Sequence, residues 1–129
     1  MSLHIKENPL SYLSILQYNV TRSQPTTESV LNHPDSAKHH LIMLQEQYWS
    51  KYTKTTLSHQ SWTIVQPQHA EIPAQTRTRA AIYLNNTKIS SNAYAAIPFP
   101  SPDVVVIQLK DANSHLTSEL LIGQTKPTF

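Results

Sequence analysis

Two short apolar runs, Ser14-Ile15-Leu16-Gln17-Tyr18-Asn19-Val20 and Leu41-Ile42-Met43-Leu44-Gln45-Glu46, set the frame for the rest of this chain. Each is bounded by turn-type residues and reads as a buried strand. Between them, residues 25–33 (Pro-Thr-Thr-Glu-Ser-Val-Leu-Asn-His) suit a short helix. A Ser/Thr/Pro-type start precedes it, Glu28 falls in its first turn, and Pro34 stops it. Strand, helix, strand predicts a right-handed crossover between two parallel neighbours. Both runs end in a group that an apolar core rejects, an amide at Asn19 and a carboxylate at Glu46. Burying that carboxylate unpaired is expensive enough to demand a partner or a shifted pKa. Adjacent strands ending this way aim both groups at one edge of a sheet, where a divalent cation can sit.

Downstream the pattern becomes strand-rich. Residues 47–58 are polar and aromatic, with Tyr48, Trp49 and Tyr52, and read as a loop or a turn of helix. Residues 59–67 alternate and hold β-formers, which predicts a strand. Residues 68–76, with Pro73, read as a loop. Residues 79–84 (Arg-Ala-Ala-Ile-Tyr-Leu) predict a strand closed by a hairpin turn at Asn85-Asn86. Pro98, Pro100 and Pro102 exclude regular structure from residues 90–102. Residues 103–109 (Asp-Val-Val-Val-Ile-Gln-Leu) are the clearest strand, and residues 118–122 begin a last one. The fold class expected is a strand-rich α/β (α+β) fold.

Composition removes several functions. With no cysteine, disulfides and thiolate metal sites are excluded. A single glycine, Gly123, stands against nine prolines. No glycine-rich phosphate loop can form, so P-loop and dinucleotide-binding readings fall away. A net charge of +2 does not by itself imply nucleic-acid binding, although a local basic groove is compatible with it. No apolar run approaches the ~20 residues of a membrane helix, and residues 1–12 lack a secretory core segment. A soluble, intracellular chain with no membrane partner is expected.

Taken in order, Leu16-Gln17-Tyr18-Asn19-Val20, a short helix, Leu44-Gln45-Glu46, Arg79-Ala80-Ala81-Ile82-Tyr83 and Val104-Val105-Val106-Ile107-Gln108-Leu109 resemble the endonuclease/exonuclease/phosphatase superfamily. Within it, the wording is most similar to the apurinic-endonuclease-like domain of fungal LINE-type retrotransposons. The resemblance implies a four-layered α/β sandwich that hydrolyses phosphate esters with a divalent metal, usually Mg²⁺, and DNA as partner. It implies catalytic roles for Asn19, which would organise the site and touch phosphate or metal, and for Glu46, which would be the metal ligand. One or two carboxylates are what Mg²⁺ commonly takes from a protein.

The resemblance covers the N-terminal half of such a domain. The expected organisation is a tail over residues 1–13, a partial domain over 14–122 and an unrelated tail over 123–129. The family's later Gly-Asp-Phe-Asn and Ser-Asp-His motifs are absent from the sequence; the second supplies the Asp–His pair that activates the attacking water. The expectation is therefore a truncated, metal-dependent nuclease-type domain, inactive alone, that self-associates through exposed sheet such as residues 104–109. The alternative is a non-enzymatic β-rich module that binds nucleic acid or protein.

Other side chains invite chemistry. Arg77, Arg79, Lys51 and Lys54 can touch phosphates, but so few charges more commonly form a solvated surface. Tyr48, Trp49 and Tyr52 can stack on bases, though packing is their commoner use. His39 and His40 are adjacent, point to opposite faces of a strand and do not chelate together.

Overall fold

The computed structural model describes residues 13–110 and 117–123. Nine strands and one α-helix follow in the order β1 (Ile15–Asn19), α1 (Gln24–Asn32), β2 (Leu41–Gln45), β3 (Trp49–Ser50), β4 (Thr55–Thr56), β5 (Trp62–Val65), β6 (Ala80–Asn85), β7 (Tyr94–Ile97), β8 (Val104–Lys110) and β9 (Thr117–Gly123). They form a four-stranded sheet in the order β1-β2-β6-β5, a two-stranded β3-β4 ribbon and a three-stranded β7-β8-β9 sheet. β1 and β2 are parallel, with Asn19 opposite Gln45. β6 runs antiparallel to both its neighbours. This is a strand-dominated α/β fold.

Alternation along β2 and β6 builds two cores from one sheet. Leu41, Met43, Ala80, Ile82 and Leu84 pack against Val105, Ile107 and Leu109 of the second sheet. Ile42, Leu44, Ala81 and Tyr83 pack on the other face against Val30 and Leu31 of α1 and against Trp62. β2 and β6 are thus buried on both faces, which is why they read as unbroken apolar runs. Full burial of each such Leu or Ile contributes about 1.5–3 kcal/mol relative to exposure. α1 starts where Ser23 Oγ accepts from Thr26 N at 3.1 Å, with Pro25 in its first turn, where no N–H is needed.

Several expectations need correction. β1 is a sheet-edge strand rather than a buried one, with Tyr18 49% and Ile15 38% exposed. α1 begins one residue early, so Glu28 lies beyond the first turn and accepts from Gln24 Nε2 at 3.2 Å. Residues 47–58 contain the β3-β4 ribbon. The turn at Asn85-Asn86 does not close a hairpin, because β6 pairs with β2 and β5 only. Asn85 instead donates from Nδ2 to the carbonyls of Ala37 and His39 and accepts from Thr87 N on Oδ1. The chain then leaves for the second sheet.

Residues 90–102 hold β7, since Pro98, Pro100 and Pro102 all lie beyond its end at Ile97. β8 is the central strand of its sheet, so the open edges of the two larger sheets among the described strands belong to β1, β5, β7 and β9. Gly123 ends β9, and residues 124–129 lie outside the described part. No helix of the described residues is long and apolar enough to cross a membrane.

Candidate functional site at the ends of the parallel strands

The β1–β2 ladder runs one bond past β1, with Val20 N donating to Gln45 O at 3.0 Å. The chain must then reverse into α1, and it does so through two consecutive left-handed residues, Thr21 (φ 49°) and Arg22 (φ 66°). Glu46 at the end of β2 is also left-handed (φ 56°), as are Lys54 and Gln75. Glycine would normally hold such positions. Each non-glycine residue placed there costs on the order of 1–3 kcal/mol, which the surrounding structure must offset. Three of these five positions surround the paired strand ends.

The offset is visible in the hydrogen bonds. Asn19 Oδ1 accepts from Thr21 N at 2.9 Å and so braces the first left-handed residue. Arg22 N donates to Glu46 O at 2.6 Å, and Glu46 N donates to Arg79 O at 2.9 Å. The next residue, Gln47, is buried and donates from Nε2 to Thr78 O, Thr78 Oγ1 and Ala80 O at 3.2–3.3 Å. Three segments therefore meet at Glu46: the β1–α1 loop, the end of β2 and the approach to β6.

Glu46 is 8% exposed, and its Oε1 accepts from Arg22 Nε at 2.6 Å. It is not a solvated strand end. Arg79 Nε lies 4.0 Å from Asp103 Oδ1. Arg77 makes no hydrogen bond among the described residues, and its Nε is buried without a partner there. Burial holds the Arg77 pKa below its ordinary value; Arg22 and Arg79 push the same way, and Glu46 opposes them. The cluster holds three guanidiniums against two carboxylates.

Asn19 is exposed, one register position short of Glu46 across the parallel pair, and the two do not hydrogen-bond to one another. Strand pairing brings both to the same end of the sheet. The histidine pair sits at the opposite end of β2, where Ser14 N donates to His40 Nδ1 at 3.1 Å and Ser14 Oγ bonds His39 Nδ1 at 2.7 Å. Among the described residues no three His, Asp or Glu side chains assemble into a metal-holding group. A hard divalent ion would find one carboxylate at Glu46, shared with Arg22, and the amide of Asn19. That fits only an ion that draws most of its ligands from water and substrate.

Beside this cluster runs an open groove of about 640 Å³, bounded by Trp49, Lys54, Gln66, His69, Thr76 and Thr78. At the tip of the β3-β4 ribbon Tyr52 is 85% exposed, with Lys51 Nζ 5.7 Å from its ring centre. Sequence reasoning singled out Arg77 but read it as a solvated surface charge, and it missed Arg22 and Gln47 altogether. Arg22 carried one signal: it is the only cation between Leu13 and Ala37, three residues past Asn19.

No model of a known protein family matches the chain, and no curated protein matches it. Among solved structures it is similar to the endonuclease domain of TRAS1, a telomere-specific non-LTR retrotransposon, with a TM-score of 0.59 and 15% sequence identity. The likeness covers 88% of this chain and 45% of that one, so the chain spans less than half of the structure it matches. At this identity the likeness shows an endonuclease-like fold.

Proposed function

We propose that the chain forms one side of a nuclease-type site on nucleic acid, of retrotransposon origin, with Glu46 as the carboxylate for a divalent ion and Asn19 as a contact to phosphate. The observation that carries this reading is the buried Glu46 set among Arg22, Arg77 and Arg79 at the end of parallel strands on an endonuclease-like fold. Asn19 Oδ1 is engaged by Thr21 N, which leaves its Nδ2 to donate to a phosphate oxygen. The arginines draw a nucleic-acid backbone to this end of the sheet. Mg²⁺ held at Glu46 would supply positive charge against the phosphate. Its affinity for the chain alone is expected to be millimolar or weaker, because one carboxylate leaves most of the octahedron to water.

Binding without cleavage is the expected behaviour of the isolated chain. Among the described residues no histidine or aspartate bonds Asn19 or Glu46, and the Asp–His motif that the resemblance assigns to water activation is absent from the sequence. A positioned general base is worth about 10²–10⁴ in rate. The test is a labelled duplex titrated with the chain at low salt, alongside a cleavage assay with Mg²⁺ or Mn²⁺ against the Glu46→Ala variant. Salt-dependent binding with no cleavage above the variant supports the proposal. Failure of the chain to bind any duplex would end it, and cleavage lost only in Glu46→Ala would make the chain an enzyme in its own right.

A second reading, a non-enzymatic nucleic-acid-binding module, is favoured by the exposed Tyr52 with Lys51 beside it, an arrangement suited to stacking on a base. Loss of binding in Tyr52→Ala with none in Glu46→Ala would select it. Self-association belongs to the first reading and would run through the open β1 edge, with Ile15 and Tyr18 half-exposed on it. Sedimentation of wild type against Ile15→Lys tests this; a monomer in both would exclude it.

A further inference from the structure

We propose that Arg77 is an anion-binding residue whose guanidinium, without a hydrogen-bond partner among the described residues, takes a phosphate oxygen next to Glu46. The ligand class is a phosphodiester of a nucleic-acid strand or inorganic phosphate, and the inference deepens the nucleic-acid reading above by naming a contact that neither the fold likeness nor the family motifs assign.

The three arginines of the cluster differ in what they touch. Arg22 is committed to Glu46, through both backbone and side chain. Arg79 faces Asp103. Among the described residues Arg77 has neither a hydrogen bond nor an ion pair, although its Nε is shielded from water. A guanidinium has five N–H donors, stays charged in proteins and cannot escape an unfavourable setting by neutralising. Burying such a donor unsatisfied is costly, and the neighbouring Arg22 and Arg79 add repulsion that Glu46 does not cancel.

Nor is Arg77 a loose surface side chain. Thr76 N donates to Pro73 O at 3.2 Å, Arg79 N donates to Pro102 O at 3.1 Å, and Thr78 between them is buried and bonded to Gln47 and Gln66. The backbone on both sides of Arg77 is thus fixed. An arginine held this firmly with no acceptor is completed by an anion from outside. Thr76 and Thr78, on either side of Arg77 in sequence, line the groove that carries Trp49 and Lys54; Arg77 itself is not part of that lining.

The test compares the full chain with Arg77→Gln and Arg77→Lys in two assays. In thermal melts at matched ionic strength, added phosphate raises the wild-type Tm and leaves Arg77→Gln unmoved, with Arg77→Lys in between. In phosphate-free buffer Arg77→Gln melts no lower than wild type, because no hydrogen bond is lost and the repulsion from Arg22 and Arg79 is relieved. For a labelled oligonucleotide, Arg77→Gln weakens binding by about tenfold and reduces the salt slope by about one. Phosphate stabilisation that depends on Arg77, with no oligonucleotide bound by wild type, keeps the anion site and removes the nucleic-acid reading. Equal oligonucleotide binding and equal phosphate response in wild type and Arg77→Gln overturn the Arg77 proposal and leave the nucleic-acid reading standing. A Tm that falls equally in both buffers assigns Arg77 a structural role and overturns it as well.

Discussion

Arg22 holds Glu46 twice, once from its backbone N–H to the Glu46 carbonyl and once from Nε to Oε1, each at 2.6 Å. The two residues lie 24 positions apart, so this double contact locks the loop after β1 to the end of β2. Glu46 is buried, whereas the Arg22 side chain is half-exposed. The pair sits between the weak surface class and the costly buried class of salt bridges.

A double-mutant cycle of Arg22→Ala and Glu46→Gln, read by urea denaturation, is expected to give a coupling of about 1 kcal/mol. Glu46→Gln should be the more damaging single change. It leaves Arg22, Arg77 and Arg79 facing one another with Asp103 as the remaining carboxylate. An additive cycle would show that the backbone bond alone holds the junction.

Backbone strain at the same junction makes a second prediction. Thr21 is β-branched and sits at φ 49°, a region that disfavours such side chains. Its own contribution to the site is its backbone N–H, which glycine keeps. Thr21→Gly is expected to stabilise the fold by about 0.5–1 kcal/mol, the relief of strain outweighing the added freedom of the unfolded chain. Thr21→Val should destabilise it. Equal melting of all three proteins would mean that the loop relaxes without strain.

These two junction residues show what was and was not legible in the sequence. β2 and β6 were legible because burial on both faces writes them as continuous apolar runs. β1 was legible as a strand but not as an edge, since Ile15 and Tyr18 look the same whether covered or exposed. β7 was hidden by prolines that in fact lie after it. β3 and β4 are two residues each, set by pairing rather than by any pattern. At the candidate site, Asn19 and Glu46 were legible from the ends of their runs. Their setting was not, because the chain turns there on Thr21, Arg22 and Glu46 where glycine would have announced the turns.

His40 predicts an acid-side loss of stability. It is buried, accepts from Ser14 N on Nδ1 and has no partner for Nε2 among the described residues. Burial, then Lys88 and His39, hold its pKa below the ordinary histidine value. The unfolded chain therefore takes up the proton first, so stability is full above the unfolded value of about 6.5 and falls as pH drops below it. Urea midpoints from about pH 7.5 to pH 5 should decline in wild type; that range lies above the titration of Asp35, whose carboxyl Lys38 holds low. His40→Asn keeps an acceptor for Ser14 N and should flatten the decline. An unchanged slope in the variant would place the acid sensitivity elsewhere.

Tyr83 predicts the opposite limb. Its ring lies in the core between the four-stranded sheet and α1, and its hydroxyl donates to Leu57 O at 2.7 Å. Burial pushes its pKa up to about 12, with a hydrogen bond to Thr56 acting in the other direction. The free phenol titrates near 10, so the folded state keeps a proton that the unfolded chain gives up. Stability is then full below about pH 10 and falls as pH rises towards 12, by about 3 kcal/mol across the whole interval. Tyr83→Phe removes the titrating group and the bond to Leu57 O, so it should lose about 1 kcal/mol at neutral pH and show a shallower alkaline slope. Lysines also titrate in this range, which is why the difference between the two proteins is the quantity to read. Parallel alkaline slopes in wild type and Tyr83→Phe would show that the phenol ionises in the folded chain as readily as in water.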